Sequence, residues 1–330
     1  MDGSLHCMIR NFMSKKFKTI ITGKVPENWA SVLMGISRVD IWPGKPDYLM
    51  PREKLIRELK DVDAIVNFAE VQGDRELVEN APLLKIIANA SIGYDNLDLE
   101  DLAKAGIWAT NSPGFMDVPV AEYIIAGILS VSRKLGEADR FVREGKWTSF
   151  EPGRWDGQSL REQTIGIIGM GAIGKELARM AQCIGMSVRH YDAFVKTLPG
   201  YMELDELITT SDIVSVNVPF TPETRGMVDF KFLEKLKSGA ILVNTSRGTV
   251  VVQKALMVAL QNGRLRGAVL DVFENEPEVP EELRYMYNVV LTPHMAGGTV
   301  SSRKVTMENA IRNVFEVLSG NPPLNPVNKR

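Results

Sequence analysis

Residues 164–192 read TIGIIGMGAIGKELARMAQCIGMSVRHYD. The stretch opens on an apolar run, Ile165-Gly166-Ile167-Ile168, suited to a strand buried on both faces. It turns through Gly169-Met170-Gly171-Ala172-Ile173-Gly174 and continues as a helix with Leu177, Ala178, Ala181 and Ile184 on one stripe. A second apolar strand, around residues 187–191, ends at Asp192. Each part has a task in holding a dinucleotide. Gly169 permits the tight turn, Gly171 lets the backbone approach a pyrophosphate, and Gly174 lets helix pack on strand. The helix starting near Ala172 offers free N–H groups and the positive end of its dipole to phosphates. Asp192 follows Gly174 by eighteen residues, the spacing of an acid that takes the adenosine ribose hydroxyls. It would repel a 2′-phosphate, and Ala193 and Phe194 supply no arginine for one, so NAD is expected as cofactor over NADP.

Outward from this unit, 330 residues are enough for two domains. Apolar content of 45% and charged content of 24% are those of a globular chain with an ample core. A net charge of −2 gives no basic field for nucleic acid. No apolar run reaches the roughly 18 residues of a membrane span. Residues 1–17 lack the apolar centre of a signal peptide and read as a flexible arm. Cys7 and Cys183, the two cysteines, make neither a disulfide framework nor a metal pattern. The expectation is a soluble cytoplasmic protein without a metal.

Before the glycine loop, apolar strands are expected near residues 18–22, 39–42, 64–68, 84–90 and 107–110, with helices over 51–60 and 99–105. This alternation implies a parallel sheet with helices on its faces. A long helix is expected over 118–145, with Val120, Tyr123, Ile124, Gly127, Ile128 and Val131 in register. An ordered aromatic loop with Trp147, Phe150 and Trp155 follows. After the loop unit come strands near 212–217, 240–244, 268–270 and 289–291, helices over 229–237 and 253–261, and a last helix over 299–318.

Ligands of open parallel sheets bind beyond the carboxyl ends of the strands. The polar residues just past those ends are Asp192, Arg247, Asp271 and His294, with Glu276 a little further on. Reduction of a ketone by hydride needs a proton donor, a cation for the acid's carboxylate and a group that tunes the donor. His294 fits the first role, Arg247 the second through its planar fork, and Glu276 the third by accepting from the far imidazole nitrogen. Asp271 would meet a nicotinamide carboxamide or support the pocket. Singly, each residue has an ordinary structural reading; at one sheet edge they describe a site.

These residues resemble the NAD-dependent D-isomer-specific 2-hydroxyacid dehydrogenases. The likeness is carried by residues 91–95 (SIGYD), the loop GMGAIG, residues 218–226 (VPFTPETRG), residues 243–248 (VNTSRG), residues 271–277 (DVFENEP) and residues 292–298 (TPHMAGG). It implies two doubly wound parallel-sheet α/β domains. A Rossmann dinucleotide-binding domain, residues 113–296, would be inserted in a discontinuous flavodoxin-like substrate domain, residues 1–112 and 297–330, with a cleft that closes on ligand. The family's catalytic residues fall on Arg247, Glu276 and His294. Its cofactor contacts fall on Gly169, Gly171, Ala172, Ile173, Gly174, Asp192, Val218, Pro219, Thr224, Thr245, Ser246, Arg247, Asp271, His294, Ala296 and Gly297. Its substrate contacts fall on Ile92, Gly93, Arg247 and His294. The resemblance also implies a homodimer through the nucleotide domain, with the long helix and aromatic loop in contact.

Within the family, Glu276 disfavours formate enzymes, which resemble the others but carry glutamine there. The loop Phe68-Ala69-Glu70-Val71-Gln72 has no cation for a phosphorylated substrate. Glyoxylate or hydroxypyruvate is therefore expected, with phosphoglycerate or phosphite as the alternative. A non-enzymatic reading is an NADH-responsive scaffold resembling the corepressor branch, whose members carry extended tails that this sequence does not show.

Overall fold

The computed structural model describes residues 16–329. Residues 1–15 of the expected arm lie outside the described residues, and Phe17 already opens the first strand. The strands are β1 (Phe17–Ile21), β2 (Ser37–Ile41), β3 (Ala64–Asn67), β4 (Ile86–Asn89), β5 (Trp108–Thr110), β6 (Thr164–Ile168), β7 (Ser187–Tyr191), β8 (Ile213–Val216), β9 (Ala240–Asn244), β10 (Leu265–Leu270) and β11 (Val289–Leu291). The α-helices are α1 (Ser31–Met34), α2 (Arg52–Glu58), α3 (Arg75–Asn80), α4 (Leu99–Lys104), α5 (Asp117–Ser132), α6 (Leu135–Arg143), α7 (Ala172–Cys183), α8 (Leu204–Thr210), α9 (Phe230–Lys235), α10 (Gln253–Gln261), α11 (Glu281–Arg284) and α12 (Val300–Leu318).

The chain forms two compact units, one built from residues up to Phe115 and from Thr299 onward, the other from Met116–Gly298. Residues 113–115 thus belong to the first unit and Gly297 and Gly298 to the second, a small shift from the expected junctions at 112/113 and 296/297. The second unit begins at Met116, the N-cap of α5, and a Cβ on Gly297 would come within 2.9 Å of the Met116 sulfur.

In the first unit the sheet order is β2-β1-β3-β4-β5, all parallel. Every residue of β3 and β4 is buried, as strands covered on both faces require. One apolar cluster gathers Leu55, Leu77 and Leu102 from α2, α3 and α4. A second gathers Met307, Ala310, Ile311, Val314 and Val317 of α12 at helical spacing. A capping box between Thr299 and Ser302 starts that helix. The chain's last segment covers the sheet edge: Asn328 accepts from Ala109 N at 2.9 Å and donates to Ile107 O at 2.9 Å.

In the second unit the order is β11-β10-β9-β8-β6-β7, also parallel. From β6 the chain steps outward to β7, then returns past β6 to β8 and continues to β11. The direction reverses between β6 and β8, and such a switch point is where a doubly wound sheet opens a crevice.

Two expectations are corrected. The helix over 118–145 is two helices, α5 and α6. Lys134 takes a left-handed φ of 54°, and the Arg133 N–H caps α5 on Leu129 O at 2.9 Å. Leu135 and Val142, beyond this break, are exposed. Ile184 is not on the buried stripe of α7; it is the C-cap and exposed, whereas Leu177 and Ala181 are fully buried.

Candidate active site

At the switch point, Gly169 has φ +96°, and a Cβ there would lie 2.7 Å from Asn217 O on the loop after β8. A Cβ on Gly174 would collide with Gly169 O, so only glycine lets α7 sit this close to β6. At Gly171 a Cβ would meet nothing within 4 Å. Gly171 is also the N-cap of α7, with no side-chain cap and no acid in the first turn. Room beside the backbone, free first-turn N–H groups and the positive dipole end fit a pyrophosphate. Asp192 completes the loop. Its Oδ2 accepts from Met170 N at 2.7 Å, and its Oδ1 from Phe194 N and Val195 N at 2.8 and 2.9 Å. Burial alone would raise its pKa; these three N–H donors outweigh burial and hold it below the usual carboxylate value. A carboxylate has about four acceptor sites, so one remains for a ribose hydroxyl. After β8, Val218-Pro219 is fixed by Thr224, whose Oγ1 donates to Pro219 O at 2.7 Å.

The ends of β9, β10 and β11 lead into the segments that carry Arg247, Glu276 and His294. β9 ends at buried Asn244. Its Oδ1 accepts from Ser246 N and Oγ at 3.1 and 2.8 Å, and its Nδ2 donates to Arg247 O at 3.0 Å. This clamps the Thr245-Ser246-Arg247 turn. Arg247 Nη1 donates to Ser246 O at 2.8 Å.

Past β10, Phe273 N donates to Glu276 Oε1 at 3.0 Å, and Glu276 Oε2 lies 2.8 Å from His294 Nδ1. Burial pushes the Glu276 carboxyl up; the His294 bond, the Phe273 N–H and the positive charges of His294 and Arg247 together bring it below the ordinary value. An ionised carboxylate only accepts, so His294 Nδ1 carries the hydrogen. That leaves Nε2 to work on a ligand, from a side chain 50% exposed. His294 itself sits at φ +51°.

Asp271 is buried at the end of β10. Its Oδ1 accepts from Thr292 Oγ1 at 2.6 Å and Met295 N at 2.8 Å, and its Oδ2 from Ala296 N at 2.7 Å. It therefore supports the turn that bears His294. Ile92 and Gly93 lie in the first unit, in the turn after β4. Ile92 O accepts from Asn111 Nδ2 at 2.8 Å, and Gly93 O from Ser91 Oγ at 2.8 Å.

Three supporting residues carry little sequence signal. Thr292 stands two residues before His294, with a hydroxyl that no periodicity marks. Tyr123, counted only as part of an apolar register, hydrogen-bonds Thr292 through its hydroxyl. Asn244 looked like a strand terminus, and a buried asparagine at a strand end is the signal that it holds a loop. Among the described residues, no group of three or more His, Cys, Asp or Glu could hold a metal ion. No described helix is long and apolar enough to cross a membrane.

The sequence profile of the D-isomer specific 2-hydroxyacid dehydrogenase NAD binding domain matches residues 125–296. A protein of Thermococcus litoralis named glyoxylate reductase is 40% identical over 325 residues, which is 95% of this chain and 97% of that one. A solved structure from Thermus thermophilus superposes with a TM-score of 0.88 at 33% identity, covering 94% of this chain and 100% of that one. The NADPH-dependent glyoxylate/hydroxypyruvate reductase of Sinorhizobium meliloti superposes with a TM-score of 0.81 at 30% identity, covering 94% and 98%. With its glycine loop, its acid after β7 and the residues at the ends of β9 to β11, the chain belongs to the D-isomer specific 2-hydroxyacid dehydrogenases, oxidoreductases that use a nicotinamide dinucleotide.

Proposed function

We propose that the protein reduces a small, unphosphorylated 2-oxo acid, glyoxylate or hydroxypyruvate, to the D-2-hydroxy acid with NADH. The observation that carries this is the 2.8 Å His294–Glu276 pair at the sheet edge that bears Arg247. When bound, the reduced nicotinamide supplies the hydride. Arg247 holds the substrate carboxylate and polarises the carbonyl. As the carbonyl carbon takes the hydride, His294 gives the Nε2 proton to the carbonyl oxygen. The imidazole ends neutral, its Nδ1–H still on Glu276, which keeps one tautomer. The same groups run the oxidation in reverse.

Ile92 and Gly93 of the first unit are further proposed substrate contacts, as the resemblance implies. Their carbonyls are tied to side chains, and their N–H groups make no hydrogen bond among the described residues. The named glyoxylate reductases among the relatives support the substrate class. So does the loop after β3, where Glu70 accepts from Phe68 N at 2.7 Å and from Thr22 Oγ1, with no cation for a phosphate. Asp192 supports NADH over NADPH. We also propose a homodimer through the second unit, because Trp147 and Phe150 stand exposed after α6 together with Leu135 and Val142. Light scattering checks it: a dimer is expected, and a monomer from Trp147→Ser combined with Phe150→Ser.

The test of function crosses NADH and NADPH with glyoxylate, hydroxypyruvate, pyruvate, longer 2-oxo acids and phosphite. Glyoxylate or hydroxypyruvate with NADH should give the highest kcat/KM. A preference for NADPH above about tenfold, 1.4 kcal/mol, would overturn the reading of Asp192. Faster turnover of phosphite would overturn the substrate class.

A further inference from the structure

We infer that Tyr123 and Thr292 are positioning residues for proton transfer, the outer links of a hydrogen-bonded strut that runs from α5 through Asp271 to the turn holding His294. The inference rests on the reading of His294 as general acid.

His294 adopts a left-handed backbone conformation, φ +51°, uncommon for a residue with a side chain. Asp271 holds the turn on both sides of it. Its main-chain oxygen accepts from His294 N at 2.9 Å, and its carboxylate accepts from Met295 N and Ala296 N just beyond. From the other side it accepts from Thr292 Oγ1. One buried side chain thus grips the turn before and after the imidazole.

The direction of the outer bonds follows from counting protons. Thr292 has one hydroxyl hydrogen and donates it to Asp271 at 2.6 Å. It must therefore accept in its contact with the Tyr123 hydroxyl. Burial pushes Tyr123 up to about 12, so the phenol keeps its proton and stays a donor. Every link runs the same way: Tyr123 to Thr292 to Asp271. Tyr123 sits on a helix anchored by fully buried Ile124 and Ile128, so the strut ties the turn to the core rather than to solvent. Three of the roughly four acceptor sites of the Asp271 carboxylate are spent on this turn. Losing the outer links would let the imidazole drift without touching the glycine loop.

The experiment uses the full chain. Thr292→Val, Thr292→Ser, Tyr123→Phe and His294→Ala are compared for kcat and KM with glyoxylate, for the Kd of NADH by fluorescence and for Tm. Thr292→Val and Tyr123→Phe should lower kcat by about tenfold, the scale of a small misplacement of a reacting group. The Kd of NADH should stay within about twofold, and Thr292→Ser, which keeps the hydroxyl, should recover most of the rate. A merely structural role would lower Tm and leave kcat at low temperature untouched. If Thr292→Val does not fold, Tyr123→Phe decides, since it removes only an oxygen. Wild-type kcat in Tyr123→Phe and Thr292→Val beside an inactive His294→Ala would overturn the strut alone. So would a loss of NADH affinity matching the loss of rate, or a Thr292→Ser variant as slow as Thr292→Val. An active His294→Ala would instead overturn the reading on which the strut rests.

Discussion

Glu276 divides its carboxylate between two donors, the Phe273 N–H and the His294 ring, so glutamine would keep the volume and lose the charge. Glu276→Gln should cost about 100-fold in kcat, because an amide that can donate as well as accept no longer fixes the ring's tautomer and orientation. The same group predicts a pH dependence of stability. Its folded pKa lies below the unfolded one, so ionisation favours the folded chain. That contribution is complete above the ordinary Glu value of 4.5 and fades as pH falls through the depressed folded value. Melting curves of wild type and Glu276→Gln should therefore converge as pH falls below the ordinary Glu value of 4.5; a constant gap would contradict the assignment. That Glu276 would accept from the far nitrogen of the His294 ring was legible in the sequence, because both follow apolar strands and few polar residues do. Thr292 and Tyr123 were not, because their roles depend on hydroxyl partners 169 residues apart along the chain.

Among the elements, the glycine loop makes the sharpest distinction. An alanine at Gly171 meets open space, whereas one at Gly174 collides with Gly169 O. Gly171→Ala should fold with an unchanged Tm and lose NADH affinity. Gly174→Ala should lose stability, by about 1–3 kcal/mol for forced overpacking. Denaturant unfolding and NADH titration of the two variants check this, and a destabilised Gly171→Ala with normal affinity would contradict it. Strand, turn, helix and acid were all legible here because every residue choice served the same unit. The break between α5 and α6 was not. Neither Arg133 nor Lys134 is a glycine or proline, and Leu135 and Val142, beyond the break, are exposed. Lys134→Gly relieves a left-handed lysine and should raise stability by up to about 1 kcal/mol. Loss of stability there would mean that the lysine side chain matters more than its backbone.

For the whole molecule, strand alternation gave both parallel sheets, and the boundaries of β7, β9, α10 and β11 fall where periodicity put them. Short helices such as α3, α8 and α11 span too few turns to leave a periodic signal. Strand order is not written locally. It emerges from right-handed crossovers, and it is the order β11-β10-β9-β8-β6-β7 that sets the glycine loop at the switch point and the carriers of Arg247, Asp271 and His294 side by side. In the proposed function this sheet edge moves a proton through His294. Its most direct test is the kcat of His294→Ala for glyoxylate at saturating NADH, read with the Kd of NADH for the same variant. A fall of at least about 100-fold in kcat with cofactor affinity intact is the expected result. Turnover near the wild-type rate, or loss of NADH binding in step with loss of turnover, would contradict it.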